Sequence, residues 1–92
     1  MALFKGKEMR ALDFQLDGFS FGIGVIEDSE VLNEALLDLL VAARMAIKAG
    51  HCEEVSKKLV QARTWTISGP ENKTKAWKMA VDLCLKEVAV TQ

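Results

Sequence analysis

One pair of neighbouring residues, His51-Cys52, combines a base with a nucleophile, and it is followed by Glu53 and Glu54 at the predicted start of a helix. A helix N-terminus and a nearby imidazole both stabilise the thiolate, which is the reactive form of cysteine. Adjacent side chains on a helix diverge by about 100°, so the pair has no assured hydrogen bond. Cys52 also opens the apolar stripe of its helix, as a packed residue would. We therefore predict a structural role for both residues.

The other reactive side chains are too scattered to form a site. One histidine and two isolated cysteines, Cys52 and Cys84, lack the spacing of a zinc centre. The glycines of the FGIG motif (21–24) do not lead into Lys-Ser/Thr, so they are not a phosphate-binding loop. Glu87 lies on the apolar side of the last predicted helix. It either lies past the packed part of that helix, pairs with a basic residue, or has a raised pKa. We expect no metal, no cofactor and no enzymatic activity.

Composition indicates one globular domain spanning residues 1–92. Half of the residues (50%) are hydrophobic, 27% are charged, and the formal net charge is −1, so the chain can fold and has no overall bias toward a polyanionic partner. The most apolar run, residues 36–47, contains Asp38 and Arg44 and is shorter than the roughly 20 residues of a membrane span. We expect a cytoplasmic protein with reduced cysteines and no membrane contact.

The N-terminal third has the pattern of a β-hairpin over about residues 9–26. Two alternating runs, LDFQL (12–16) and FSFGIGV (19–25), flank Asp17-Gly18, a pair typical of a two-residue turn. This register puts six large apolar side chains on one face: Leu12, Phe14, Leu16, Phe19, Phe21 and Ile23. The opposite face is small and polar and includes Gly22 and Gly24, which predicts either that something packs close to the backbone there or that the strand edge bends. Residues 2–5 are a candidate third strand beside this hairpin.

Helical periodicity predicts three helices, over about 29–49, 52–66 and 69–90. The segment RTWTI (63–67), at the end of the second of these, is also compatible with a short strand. Gly50 has the position of a C′ residue after the first of them. Ser68-Gly69-Pro70-Glu71 matches the capping box that begins the third. The predicted fold class is therefore α+β, with an N-terminal β-hairpin followed by three α-helices packed in one small domain.

Two apolar residues, Leu37 and Val41, interrupt the polar stripe of the first predicted helix. Either the hairpin or a second copy of the chain is expected to cover them. The acidic segment 27–38 and a basic window at 55–79 also make the molecule a dipole. This charge separation favours antiparallel self-association or docking on a charged partner, although acidic residues also stabilise a helix N-terminus locally.

The basic window at 55–79 contains six basic residues and one acidic residue. Such a surface can bind phosphates, and a tryptophan can stack on an unpaired base. Trp77 falls on an apolar helical face and is predicted to be core. The candidate nucleic-acid-binding residues are Lys57, Lys58, Arg63, Trp65, Lys73, Lys75 and Lys78.

These patterns favour a small intracellular protein–protein interaction protein, such as a regulator, an assembly chaperone or an inhibitor of a larger complex. We expect it to form a homo-oligomer, dimeric or higher, and to bind an unidentified protein partner. The predicted interface residues are Leu37, Val41, Gly22 and Gly24. The alternative is a nucleic-acid-binding accessory protein that uses the basic corner at 57–78.

Overall fold

A computed structural model describes residues 6–23, 29–67 and 71–91. Four α-helices follow one another: α1 (Lys7–Gly22), α2 (Ser29–Lys48), α3 (Cys52–Arg63) and α4 (Glu71–Thr91). The described residues contain no strand. The predicted α+β fold with an N-terminal β-hairpin over 9–26 is therefore wrong, and the described part of the chain is all-α, with four helices.

The N-terminal segment is helical because its core residues repeat at intervals of three and four. These residues are Met9, Leu12, Leu16, Phe19 and Ile23, and all five are buried. That spacing covers one face of a helix and runs longer than the two short alternating runs that suggested strands. Phe14 and Phe21, which the hairpin placed on the buried face, point to the opposite side and are exposed. Gly18 lies inside the helix at a cost of about 1 kcal/mol, which burial of the five core residues outweighs.

Helix α2 packs against each of the other three helices. Its buried face consists of Leu39, Ala42, Ala43, Ala46 and Ile47. The three alanines leave little side chain between backbones, so neighbouring helices can approach α2 closely. Four further apolar residues of α2 are partly buried against the same core: Leu32, Ala35, Leu36 and Leu40. α2 is therefore the centre of the bundle.

The turn between α2 and α3 is a Schellman motif. The backbone N–H of Gly50 donates to the carbonyl of Ile47, and that of His51 donates to the carbonyl of Ala46, each at 3.0 Å. Gly50 has a φ of 94°, a left-handed conformation that glycine adopts without steric cost. The predicted C′ position of Gly50 is confirmed.

An aromatic cluster joins α1, α4 and the segment after α3. Trp77 is fully buried, as predicted. Its ring centroid lies 5.7 Å from that of Phe19 and 5.8 Å from that of Trp65. Its indole Nε1 donates a 3.0 Å hydrogen bond to the carbonyl of Ala62. α3 ends at Arg63, before the predicted limit near residue 66, and Ser68–Pro70 of the predicted capping box lie outside the described residues.

Candidate interaction surface

The outer face of α2 carries three apolar residues spaced four apart, Leu37, Val41 and Met45, called here the α2 stripe. At 100° per residue they lie on one side of the helix, opposite the residues that enter the core. Their exposed fractions are 57%, 48% and 55%. Leu37 and Val41 were predicted to be covered by the hairpin or by a second copy. The hairpin does not exist, and no described part of the chain buries either residue.

A charged residue lies at each end of the α2 stripe. Glu34 comes three residues before Leu37, and Lys48 comes three residues after Met45. Both are exposed. Within residues 6–23, 29–67 and 71–91 neither takes part in an ion pair. The outer face of α2 is therefore acidic at one end and basic at the other, with the α2 stripe between them and two further exposed charged residues, Asp38 and Arg44, beside that stripe.

A second apolar surface lies on the outer face of α1. Phe14 is 74% exposed and Phe21 is 88% exposed, with Gly18 between them. A Cβ placed on Gly18 would have no neighbour within 4 Å, so the two rings stand on either side of an open notch. We call Phe14, Gly18 and Phe21 the α1 patch. The spacing of three and four that begins at Met9 predicts the outward position of Phe14 and Phe21. The alternation of the hairpin instead predicted that both rings are buried.

The predicted surface on the outer face of the hairpin does not exist, because that segment is helical. Gly22 is the last residue of α1 and is partly buried. Gly24 lies outside the described residues. Gly22 therefore lies in a helix and not on the face of a strand.

The basic corner is largely neutralised by carboxylates of the same chain. Four of its cations form ion pairs: Lys57 with Glu53 (3.7 Å), Lys58 with Asp13, Arg63 with Asp82 (3.4 Å) and Lys75 with Glu71 (3.9 Å). Lys58 and Arg63 reach across to α1 and α4, so their charges also link helices. These pairs lower the positive potential that phosphate binding would need.

The remaining members of the basic corner divide between packed and exposed positions. Trp65 is partly buried, and its ring stacks on Trp77 at an interplanar angle of 11°. That contact covers one of the two ring faces on which a nucleic-acid base would stack. Lys73 is partly buried and Lys78 is exposed. The structure therefore does not bring the seven candidates into one open basic, aromatic surface.

The His51-Cys52 pair has a structural setting. His51 Nδ1 lies 3.3 Å from a carboxylate oxygen of Glu54. On the other side of the ring, a Cβ on Gly6 would lie 2.9 Å from Nε2, so the start of α1 rests against the imidazole. Cys52 is partly buried at the first position of α3. In the described part of the chain, no group of three or more potential ligands could hold a metal ion.

Among the described residues, the pKa values of Cys84, Glu87 and Arg44 are shifted, and each shift has a clear cause. Burial raises the pKa of the Cys84 thiol to about 12, so this thiol is protonated and unreactive at neutral pH. Glu87 accepts a 2.9 Å hydrogen bond from Arg44. That hydrogen bond lowers the pKa of Glu87 and raises the pKa of Arg44. Of the three interpretations of Glu87, pairing with a basic residue is confirmed.

Among the described residues, no helix is long and apolar enough to cross a bilayer. Comparison with known proteins gives no match: no family model, no curated protein and no solved structure is significantly similar to this chain. The α2 stripe and the α1 patch are therefore the features from which a function can be argued.

Proposed function

We propose that this chain is a small intracellular interaction protein that self-associates through the α2 stripe and regulates, assembles or inhibits a larger partner. The observation that carries this proposal is the α2 stripe itself. Three large apolar side chains follow one another on successive helical turns, on the side of α2 opposite the residues that enter the core. Water contact with such a surface is unfavourable, and contiguous exposed apolar patches commonly mark interaction sites.

The α1 patch supplies a separate surface for a protein partner. Two exposed phenylalanines on either side of a glycine notch offer rigid aromatic anchors, which contribute strongly to binding when a partner buries them. Self-association through α2 would present two copies of this patch. A dimer of this kind could engage two sites on a larger assembly and gain avidity without new contacts.

An intracellular location fits the cysteine chemistry. Cys52 and Cys84 are both free thiols, one partly buried and one buried. Reduced cysteines are usual in the cytosol, where glutathione and thioredoxin keep thiols reduced. We therefore include a cytoplasmic location in the proposal.

The experiment is a double substitution, Leu37→Lys with Val41→Lys, measured by size-exclusion chromatography with light scattering. We expect the wild type to be dimeric or larger and the variant to be monomeric, with unchanged helix content by circular dichroism. The matched control is Val60→Lys with Met79→Lys, because those residues are comparably exposed on α3 and α4. If the Leu37/Val41 variant keeps the mass of the wild type, the α2 stripe is not the interface.

A nucleic-acid-binding role is the competing hypothesis, and a titration separates it from the proposal. Mixed single- and double-stranded nucleic acid is added while tryptophan emission is recorded at low and near-physiological salt. We expect no saturable change, because most cations of the basic corner are paired and Trp65 is stacked. Saturable quenching that weakens steeply with salt would instead support the accessory-protein hypothesis.

A further inference from the structure

The residues on the outer face of α2 are spaced symmetrically about Val41. Leu37 and Met45 each lie four residues away from Val41, about 6 Å along the helix axis. Glu34 and Lys48 each lie seven residues away, about 10.5 Å along the axis, and their charges are opposite. This order of side chains is what an antiparallel contact between two identical helices requires.

Twofold symmetry turns this order into specific contacts. In a closed dimer, if one residue contacts a second across the interface, the second contacts the first. We infer that two copies pack their α2 helices antiparallel with Val41 at the twofold axis, an inference that rests on the proposed self-association. Val41 then meets the partner's Val41, Leu37 meets the partner's Met45, and Glu34 meets the partner's Lys48.

The charges disfavour the parallel arrangement of the same two helices. A parallel pair would place Glu34 against the partner's Glu34 and Lys48 against the partner's Lys48. Like charges at this separation repel, and aligned helix dipoles add to the repulsion. The antiparallel pair replaces both repulsions by two symmetric ion pairs. Because an unrelated partner needs no such self-complementarity, a second copy is the occupant that the charge order favours.

The expected dimer is weak. From Glu34 to Lys48 the contact is about 21 Å long, and a single helix–helix contact of this length buries an area at the low end of specific interfaces, below about 1,200 Å². We therefore expect a dissociation constant in roughly the micromolar range and an equilibrium that depends on protein concentration.

Cysteine cross-linking tests the orientation directly. In the full chain with Cys52→Ala and Cys84→Ala, we expect Val41→Cys to give a disulfide-linked dimer under mild oxidation. Leu37→Cys alone should stay monomeric on a non-reducing gel, because the two thiols lie about 12 Å apart along the axis. Adding Met45→Cys to Leu37→Cys should restore the cross-link. Efficient self-linking of Leu37→Cys would overturn the antiparallel arrangement, since only a parallel pair brings those residues together.

Charge reversal supplies an independent measurement by analytical ultracentrifugation. We expect Glu34→Lys and Lys48→Glu each to raise the dissociation constant about tenfold, and the double variant to return within about threefold of the wild type. A dimer that is insensitive to both single changes would overturn the inference while leaving self-association intact. A wild type that stays monomeric from about 1 μM to about 1 mM would instead overturn the proposed function itself.

Discussion

The indole Nε1 of Trp77 on α4 donates a 3.0 Å hydrogen bond to the carbonyl of Ala62 near the end of α3. The same carbonyl accepts the backbone N–H of Trp65, also at 3.0 Å. The ring of Trp77 also packs against the rings of Phe19 and Trp65. One side chain therefore fixes the end of α3 against α4 and joins both helices to α1.

We expect Trp77→Phe to lower the free energy of unfolding by about 2 kcal/mol, from one lost hydrogen bond and a void beside the smaller ring. Urea unfolding followed by circular dichroism measures this change. Trp65→Phe is the matched control, because Trp65 is only partly buried and donates its hydrogen bond from the backbone. Equal effects of the two substitutions would contradict the central position of Trp77.

The helical assignment of the N-terminal segment predicts a large difference between Leu16 and Phe14. Leu16→Ala removes a fully buried side chain and should cost about 2–5 kcal/mol. Phe14→Ala removes an exposed ring and should change stability by no more than about 0.5 kcal/mol. A hairpin would put both residues on the same buried face. Similar losses for the two variants in denaturant unfolding would therefore contradict helix α1.

The N-terminal segment was assigned wrongly because its apolar residues fit two periods, the alternation of a strand and the spacing of three and four of a helix. Leu12, Leu16 and Phe19 fit both a strand face and a helix face. The deciding residue is Met9, which lies outside both short runs and continues the spacing of three and four toward the N-terminus. Asp17-Gly18 favours a turn locally, but burial along the whole helix outweighs the cost of one interior glycine.

Other features of the molecule can be predicted from the sequence, because they depend on residues close together in the chain. The C′ position of Gly50 follows from the need for a left-handed residue after a helix, and the burial of Trp77 follows from its place on an apolar face. The place of Leu37 and Val41 on the polar side of their helix is visible as a break in the polar stripe, but the hairpin that was one of their two expected covers does not exist. By contrast, the pairing of Arg44 with Glu87 and of Lys58 with Asp13 joins distant parts of the chain, so it depends on the packing of helices and not on sequence spacing.

The pair formed by Arg44 and Glu87 predicts a dependence of stability on pH. Because the pKa of Glu87 is lowered in the folded state, the carboxylate stabilises the fold above the ordinary pKa of glutamate, about 4.3. This contribution is lost as the pH falls through the lowered pKa. Glu87→Gln should therefore lower the melting temperature slightly at pH 7. It should have no effect at a pH low enough to protonate Glu87 in both the folded and the unfolded wild type.

A double-mutant cycle with Arg44→Gln isolates the interaction. We expect a small favourable coupling at pH 7, reduced by salt because both side chains are partly exposed. A coupling that persists unchanged below the lowered pKa of Glu87 would show that packing, not charge, stabilises the contact.

The two thiols should differ sharply in reactivity. With a pKa of about 12, Cys84 holds almost no thiolate at pH 8, and its side chain is fully buried. In a Cys52→Ala variant, we expect an aromatic disulfide reagent to label Cys84 at least about a hundredfold more slowly in the native protein than in denaturant. The Cys84→Ala variant, which keeps the partly buried Cys52, is the control and should react faster. Rapid native labelling of Cys84 would contradict its burial.

Because α2 contacts every other helix, no half of this bundle can open without disturbing α2. The protein should therefore behave as a single cooperative unit, with the backbone amides on the buried side of α2 exchanging with solvent only when the entire chain unfolds. A second molecule bound along the outer side of this same helix would slow that exchange throughout the bundle, because full opening would first require dissociation. Binding at the outer face of α2 therefore protects the backbone amides in the interior of the whole molecule from exchange.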